Sequence, residues 1–308
     1  MKLRAYQPGD EEAHARIFNE LASTWPGFEP LTAANILRST RKRGFSPQSR
    51  LSVEVAGQVV AYITTRTDGR VTAPWCQPGY EAAATALIEA ALDQHRQAKL
   101  ARAYFVTRHD WPQTIALMEA HGFVKVRDVY NYSLALTDTP TLTIRSRSEF
   151  ATLTAQDIPT LRAMAPTLFS VDEQTLSKHL LENPLLASEA VYASRSRSTG
   201  ELRGVGLVVI DPNLGQTPVD ANAPVFRFGA FGNEAYQTER LNGLFSFVSS
   251  GDPMSVGLDL LGEALRQVEE LDINYLHAQV PSDQPPLLHF YDRVFRRRGS
   301  FPLYELPL

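Results

Sequence analysis

Two short segments of the sequence place small residues at the predicted start of a long helix. The first contains Ala82 and Ala84, and the second contains Ser255 and Gly257. Backbone N–H groups at the start of a helix bind anions, and small side chains let a phosphate approach them closely. Each of these two loops is chemically able to accept a phosphate, a property that many helix starts share.

Each loop carries an acidic residue at a position where a cation would attract a phosphate. Glu81 occupies this place in the first loop and Asp252 in the second. A carboxylate suits the positive end of a helix dipole but repels a phosphate. A competing register of the first loop uses Gln77 as the polar residue and Gly79 as the small one. We expect the first loop to be the weaker of the two.

Tyr291 carries a phenol hydroxyl, a group that can protonate a leaving group. The corresponding helix in the first half of the chain carries Met118, whose thioether cannot donate a proton. The alternative for Tyr291 is a packed aromatic ring with a solvated hydroxyl. Glu234 and Glu239 precede the second long helix; a carboxylate can act as a base, and each also fits a surface charge.

The chain repeats one order of predicted elements. The turn that ends in Asp10 matches the turn that ends in Asp157 at an offset of 147 residues, and the later helices match at an offset of 173. The difference predicts an insertion in the second copy, at about 211–240, with its own strand at 225–231. Such regular spacing is typical of a duplicated domain.

Hydrophobic periodicity, turn residues and caps predict the elements. The predicted helices are 11–22 with Asp10 as N-cap, 32–38, 81–97, 111–121, 157–164, 172–182, 255–270 and 286–298, the last ending in Arg296–Arg298. The predicted strands are 3–6, 51–55, 59–65, 70–75, 101–107, 123–136, 150–154, 190–196, 202–210, 244–248, 275–280 and 301–306.

This order of elements resembles the GNAT family of acyl-CoA N-acyltransferases. The segment Ala116–Phe123 is similar to the family's ending of its last helix, and Phe290–Val294 is similar to the family's Phe-Tyr-Glu-Arg-Val. The resemblance implies an α/β (α+β) fold in two tandem domains, each a mixed, mostly antiparallel sheet flanked by helices. The expected domains are 1–138 and 147–308, joined by a linker at 139–146.

The same resemblance implies transfer of an acyl group from acetyl-CoA, or another acyl-CoA, to the amine of a small molecule or peptide. The amine would attack the thioester directly, with Tyr291 as proton donor and Glu239 as base. The second copy is expected to be the working one. The implied coenzyme-binding residues are Phe247, Val248, Asp252, Ser255, Val256 and Gly257 in the second copy, and Gln77, Gly79, Ala82 and Ala84 in the first. The alternative is an inactive scaffold that serves as a ligand-binding or regulatory module.

Composition argues against several other classes. A net charge of −4 lacks the basic surface of a nucleic-acid binder. A single cysteine, Cys76, forms no intrachain disulfide and no thiolate metal cluster. The sequence shows neither a signal peptide nor an apolar run of membrane-spanning length, so we expect a cytoplasmic protein without a membrane or metal partner. A homodimer is left open.

Overall fold

The computed structural model describes residues 1–23, 30–41, 45–138, 148–166, 169, 172–182, 186, 189–209, 243–269, 271 and 273–308. Within these ranges the chain forms two compact units. Unit 1 combines Met1–Arg127 with Phe301–Leu308, and unit 2 holds the described residues from Asp128 to Ser300. The predicted linker and the predicted insertion, with its strand at 225–231, lie outside the described residues. The domain boundaries at 138 and 147 therefore stay a prediction.

Unit 1 begins with a strand, two helices and a hairpin, followed by the first long helix. Its elements are β1 (Lys2–Ala5), α1 (Glu11–Ala22), α2 (Ala33–Thr40), β2 (Arg50–Val55), β3 (Gln58–Thr64), β4 (Trp75–Cys76), α3 (Ala83–Gln97), β5 (Arg102–Val106) and α4 (Pro112–Ala120). Strand β6 (Val124–Ala135) follows and continues into unit 2.

Unit 2 repeats this order. Its elements are β7 (Ser148–Thr152), α5 (Ile158–Met164), α6 (Glu173–Leu181), β8 (Val191–Ser196), β9 (Leu202–Val209), β10 (Leu244–Ser249), α7 (Pro253–Val268), β11 (Tyr275–Pro281), α8 (Pro285–Val294) and β12 (Arg296–Pro307), whose last residues belong to unit 1. No helix among those described is long and apolar enough to cross a membrane.

Strands β1 to β4 form an antiparallel sheet in unit 1 with a core on each face. Leu51 and Val53 lie in one buried cluster with Leu87 of α3, so the α3 face is apolar. On the other face, Ile17 of α1 packs with Tyr62. The period of two in β2 separates these layers, since neighbouring side chains point to opposite faces.

The last residues of the chain complete unit 1. Their strand pairs antiparallel with β5, from Leu303 opposite Val106 to Pro307 opposite Arg102. Tyr304 is 4% exposed and its ring stacks on Phe105 at 4.9 Å between centroids. The core of unit 1 therefore depends on residues nearly 200 positions later in the chain than β5.

The strands of unit 2 lie in the order β6–β11–β10–β9–β8–β7. Helix α7 packs over β9 and β10, and α5 contacts the same two strands. Two buried apolar clusters result, one that includes the α7 side chains and one that includes those of α5 and α6. The predicted fold class, mixed and mostly antiparallel sheets flanked by helices, is confirmed.

Three local predictions were wrong. Helix α8 ends at Val294 rather than at residue 298, because Phe295 turns to an extended backbone (φ −112°, ψ 161°) and is buried at 5% exposure. Arg296–Arg298 consequently begin β12. The strand predicted at 70–75 is reduced to β4 and two isolated bridges. Asp10 does not cap α1 with its side chain, since its carboxylate accepts from Arg4 instead.

We expect Tyr304→Ala to lower the free energy of unfolding of unit 1 by about 3–4 kcal/mol, because a buried ring is lost from the core. Chemical denaturation, with hydrogen exchange of the β5 amides as a local readout, measures this effect. Glu305→Ala is the control. It removes a partly exposed pair with Arg102 and should cost less than about 1 kcal/mol. Equal losses in the two variants would contradict a core role for the last strand.

Candidate functional site

Each unit contains a pair of neighbouring chain segments that separate after one residue. Strand β10 pairs with β9 along its whole length, but within the described residues it pairs with β11 only at Leu244 and His277. In unit 1, the stretch before β4 meets β5 in a parallel bridge between Arg70 and Tyr104. Each opening lies toward the carboxyl ends of its strands and is followed by the long helix, α3 or α7.

A glycine stands before each opening and allows two backbones to approach closely. A Cβ atom on Gly69 would lie 2.4 Å from the carbonyl oxygen of Arg102, and one on Gly243 would lie 2.7 Å from that of Tyr275. Both distances are shorter than any real contact, and both glycines have positive φ. The two openings are therefore built in the same way.

Aromatic rings occupy the α7 side of the opening in unit 2. The rings of Phe247 and Phe290 meet edge to face with centroids 4.8 Å apart, and Phe247 lies 5.8 Å from Tyr291. The Tyr291 hydroxyl donates to the carbonyl oxygen of Phe245 at 3.5 Å, one residue beyond the last β10–β11 pair. This length is at the weak limit of hydrogen bonding.

The predicted proton donor is thus a core residue. Tyr291 is 2% exposed, and burial raises the pKa of its hydroxyl well above the ordinary value. A general acid must come within hydrogen-bond reach of the group that it protonates. The ring is packed, as the alternative interpretation expected, but the hydroxyl faces protein atoms rather than solvent, and its catalytic role stays a prediction.

Gly257 owes its small size to the same rings. A Cβ atom there would lie 2.6 Å from Phe247 Cζ and 2.8 Å from Phe290 Cε2. Val256 next to it is 2% exposed and belongs to the same core. These contacts give a packing reason for residues that the sequence assigned to coenzyme binding, and their binding role stays a prediction.

The first amides of α7 already have an anionic partner. The Asp252 carboxylate accepts from the N–H groups of Met254 at 3.1 Å and Ser255 at 3.2 Å. This is a normal side-chain N-cap, followed by Pro253 at the first helical position. Any phosphate at this helix start would have to displace that carboxylate.

Helix α3 begins differently. No side chain caps its first turn, in which Ala82 is exposed and Ala84 is buried. Glu81 instead accepts from the N–H of Gly79 at 2.9 Å, within the preceding turn, and this contact lowers the pKa of the exposed Glu81 carboxyl. Gln77 continues the β3–β4 pairing, since its N–H donates to Val60. The first N–H groups of α3 donate to backbone carbonyls instead, Ala83 to Tyr80 at 2.9 Å and Ala84 to Glu81 at 3.0 Å.

The remaining predicted residues are spread over different environments. Phe247 and Val248 lie in two different clusters, on opposite faces of β10. Met118 is fully buried among the apolar side chains of the α3 cluster. Glu234 and Glu239 lie outside the described residues. No group of three or more His, Cys, Asp or Glu side chains in the described part of the chain is placed to hold a metal ion.

A set of polar residues on the α1 face of unit 1 was missed by the sequence. His14 of α1 is fully buried and its Nε2 lies 2.9 Å from Ser52 Oγ. Burial lowers the pKa of His14 to about 4, so the ring is neutral near pH 7. The ring of Tyr62 lies 4.3 Å from that of His14. Ser52 is fully buried between the sheet and α1, which its position between Leu51 and Val53 in the sequence does not reveal.

Gly257→Ala is expected to lower the free energy of unfolding by about 1–3 kcal/mol, because the added methyl group overlaps two packed rings. The matched control is Gly262→Ala in the same helix, where no atom lies within 4 Å of the new methyl group. Alanine should there stabilise by up to about 1 kcal/mol through helix propensity. Urea denaturation compares the two, and equal effects would show that Phe247 and Phe290 do not pack against Gly257.

Comparisons with known proteins identify the fold. No family model matches the sequence, and no curated protein matches it. A GCN5-related N-acetyltransferase from Sphaerobacter thermophilus superposes with a TM-score of 0.63 at 17% identity, over 99% of this chain and 95% of that one. A tandem GNAT protein from the clavulanic acid biosynthesis pathway gives 0.54 at 13% identity, over 99% and 98% of the two chains. The chain therefore has the fold of the GCN5-related N-acetyltransferases over almost its entire length.

Proposed function

We propose that the protein is an acyl-CoA-dependent N-acyltransferase that binds its coenzyme in unit 1, at the start of α3. Acetyl-CoA is the proposed acyl donor and a small molecule or peptide with a free amine the acceptor. One observation carries the choice of unit. The first turn of α3 has no side-chain cap, whereas the first amides of α7 are occupied by Asp252.

The start of α3 offers what a pyrophosphate needs. The positive end of this 15-residue helix holds no carboxylate, and a pyrophosphate would have to displace only the carbonyls of Tyr80 and Glu81 from the Ala83 and Ala84 N–H groups. The carboxylate of Glu81 opposes an anion here. This carboxylate is exposed and already accepts a hydrogen bond from the Gly79 N–H. Water and salt therefore screen its repulsion of a phosphate.

Transfer in this family of folds is largely a matter of position, since an amine held against a thioester attacks it directly. In unit 1 the residue at the Tyr291 position is Met118, so the departing thiolate would take its proton from water rather than from a side chain. In unit 2 the buried rings and the Asp252 cap support a structural role.

A second function has its own support. In both segments the acidic side chain accepts hydrogen bonds from backbone N–H groups. Glu81 accepts from Gly79, and Asp252 accepts from Met254 and Ser255. If neither carboxylate yields to pyrophosphate, the protein is a non-catalytic member of this fold that binds another ligand or regulates a partner.

Calorimetric titration with coenzyme A tests both proposals with two variants, one that adds a carboxylate and one that removes a carboxylate. Ala82→Asp adds a carboxylate to the start of α3 and should weaken binding at least about tenfold, equivalent to 1.4 kcal/mol. Asp252→Ala removes the α7 cap, costs about 1 kcal/mol of stability and should leave coenzyme affinity unchanged.

The outcomes separate the alternatives. Tighter binding in Asp252→Ala, with no effect of Ala82→Asp, would show that the coenzyme binds in unit 2. Absence of binding in the wild-type protein and in both variants would support the non-catalytic function. Release of free thiol from acetyl-CoA in the presence of amines then measures turnover, and Tyr291→Phe should leave that rate unchanged.

A further inference from the structure

A row of large and polar side chains crosses the α1 face of unit 1. The strand registers place Arg4 opposite Ser52, Ser52 opposite Tyr62, and Tyr62 opposite Trp75. Directly opposed residues on neighbouring strands lie on the same face. Arg50, two residues before Ser52 in β2, therefore shares this face, beneath α1 and α2.

Arg50 is the uncompensated charge in this row. Its Nε and Nη1 atoms are buried without a hydrogen-bond partner, and its Nη2 only approaches Ser39 Oγ at 3.4 Å. The guanidinium carbon lies 5.9 Å from the centre of the Tyr6 ring. Desolvation lowers the pKa of Arg50. Burying a cation without a partner is costly, and such a group calls for an explanation.

A second unpartnered atom lies nearby. His14 Nδ1 is buried without a hydrogen bond, although Nε2 of the same ring contacts Ser52. The Tyr6 ring connects the two groups, since its centre lies 5.9 Å from the Arg50 guanidinium carbon and 6.2 Å from the centre of the His14 ring. The face thus holds a cation and a neutral imidazole, each with at least one buried nitrogen atom that has no hydrogen-bond partner.

The neighbouring acids do not neutralise Arg50. Asp10 receives two hydrogen bonds from Arg4, at 2.7 and 2.8 Å. Glu11 accepts from the Tyr6 hydroxyl with one oxygen and from a backbone N–H with the other. Each carboxylate is committed to its own partners, so the positive charge of Arg50 remains available.

Unit 2 shows that the fold does not require these polar groups. Equivalent positions follow from matching contacts, since the N–H of Tyr6 donates to the carbonyl of Arg50 as that of Leu153 donates to Val191. Strand irregularities also coincide, after Val53 in unit 1 and after Ser194 in unit 2. The unit 2 counterparts of Arg50, His14, Ser52, Tyr62 and Trp75 are Val191, Leu161, Ala193, Val205 and Val248, all apolar and buried.

We propose that Arg50 and His14 form a binding site for a small carboxylate on the α1 face of unit 1. A planar group with one negative charge matches a single guanidinium, which binds carboxylates through parallel N–H donors. A phosphate dianion would leave one charge unbalanced beside Asp10 and Glu11. The site lies on the face of the sheet opposite α3, and the argument for it is independent of coenzyme binding.

Thermal unfolding with sodium acetate as probe tests the site, against sodium chloride at equal ionic strength and neutral pH. Acetate up to ~100 mM should raise the Tm of the wild-type protein, because a ligand that binds only the folded state stabilises it. The Arg50→Met variant should show no acetate effect, and its own Tm should equal or exceed that of the wild type, since an uncompensated charge is removed.

Arg195→Met in unit 2 is the matched control. Arg195 is paired with Asp157 and belongs to the other unit, so its loss should lower the Tm while the acetate effect persists. If Arg50→Met does not fold, Arg50→Lys keeps the charge without the planar donors and should weaken the acetate effect. A shift of the His14 ring resonances on addition of acetate, absent in Arg50→Met, gives a local readout.

Three results would overturn the proposal. One is the lack of any acetate effect in the wild-type protein. Another is an equal acetate effect in wild type and Arg50→Met, which would mean general salt stabilisation. The third is an Arg50-dependent response to sodium phosphate in place of acetate, which would replace the carboxylate by a phosphate ligand.

Discussion

In unit 2, β10 separates from β11 after a single residue pair, and the backbone groups beyond that point need other partners. The ring of Tyr291 fills this place and its hydroxyl turns to the Phe245 carbonyl. Phe247 and Phe290 pack beside it, and they in turn require Gly257 in α7. The position of α7, its capped start and the burial of Tyr291 all follow from closing one opening in the sheet.

Unit 1 has a similar opening between the segment before β4 and β5. The start of α3 carries alanines and no side-chain cap, and its first N–H groups donate to backbone carbonyls rather than to a carboxylate. The start of the long helix therefore differs in charge between the two units: a carboxylate caps α7, and no side chain caps α3. That difference, rather than any single reactive side chain, supports the assignment of coenzyme binding to unit 1.

The two faces of the sheets show a parallel contrast. In unit 2 the face beneath α5 and α6 is a continuous apolar core, whereas the corresponding face of unit 1 contains Arg50, His14 and Ser52. An apolar filling evidently satisfies this fold. Polar groups that remain without partners in one copy are therefore best explained by a ligand, because burial without compensation lowers stability.

The sequence alone determined the element order, the repeat and the fold class, because periodicity, turns and caps are local properties. Most element bounds agree with the structure, but α8 was predicted too long since burial of Phe295 is a tertiary effect. Only the tertiary structure decided that residues 301–308 complete unit 1, that Tyr291 lies in a core and that Arg50 and His14 hold buried nitrogen atoms without a hydrogen-bond partner. Those facts depend on contacts between distant residues, and no local pattern in the sequence contains them.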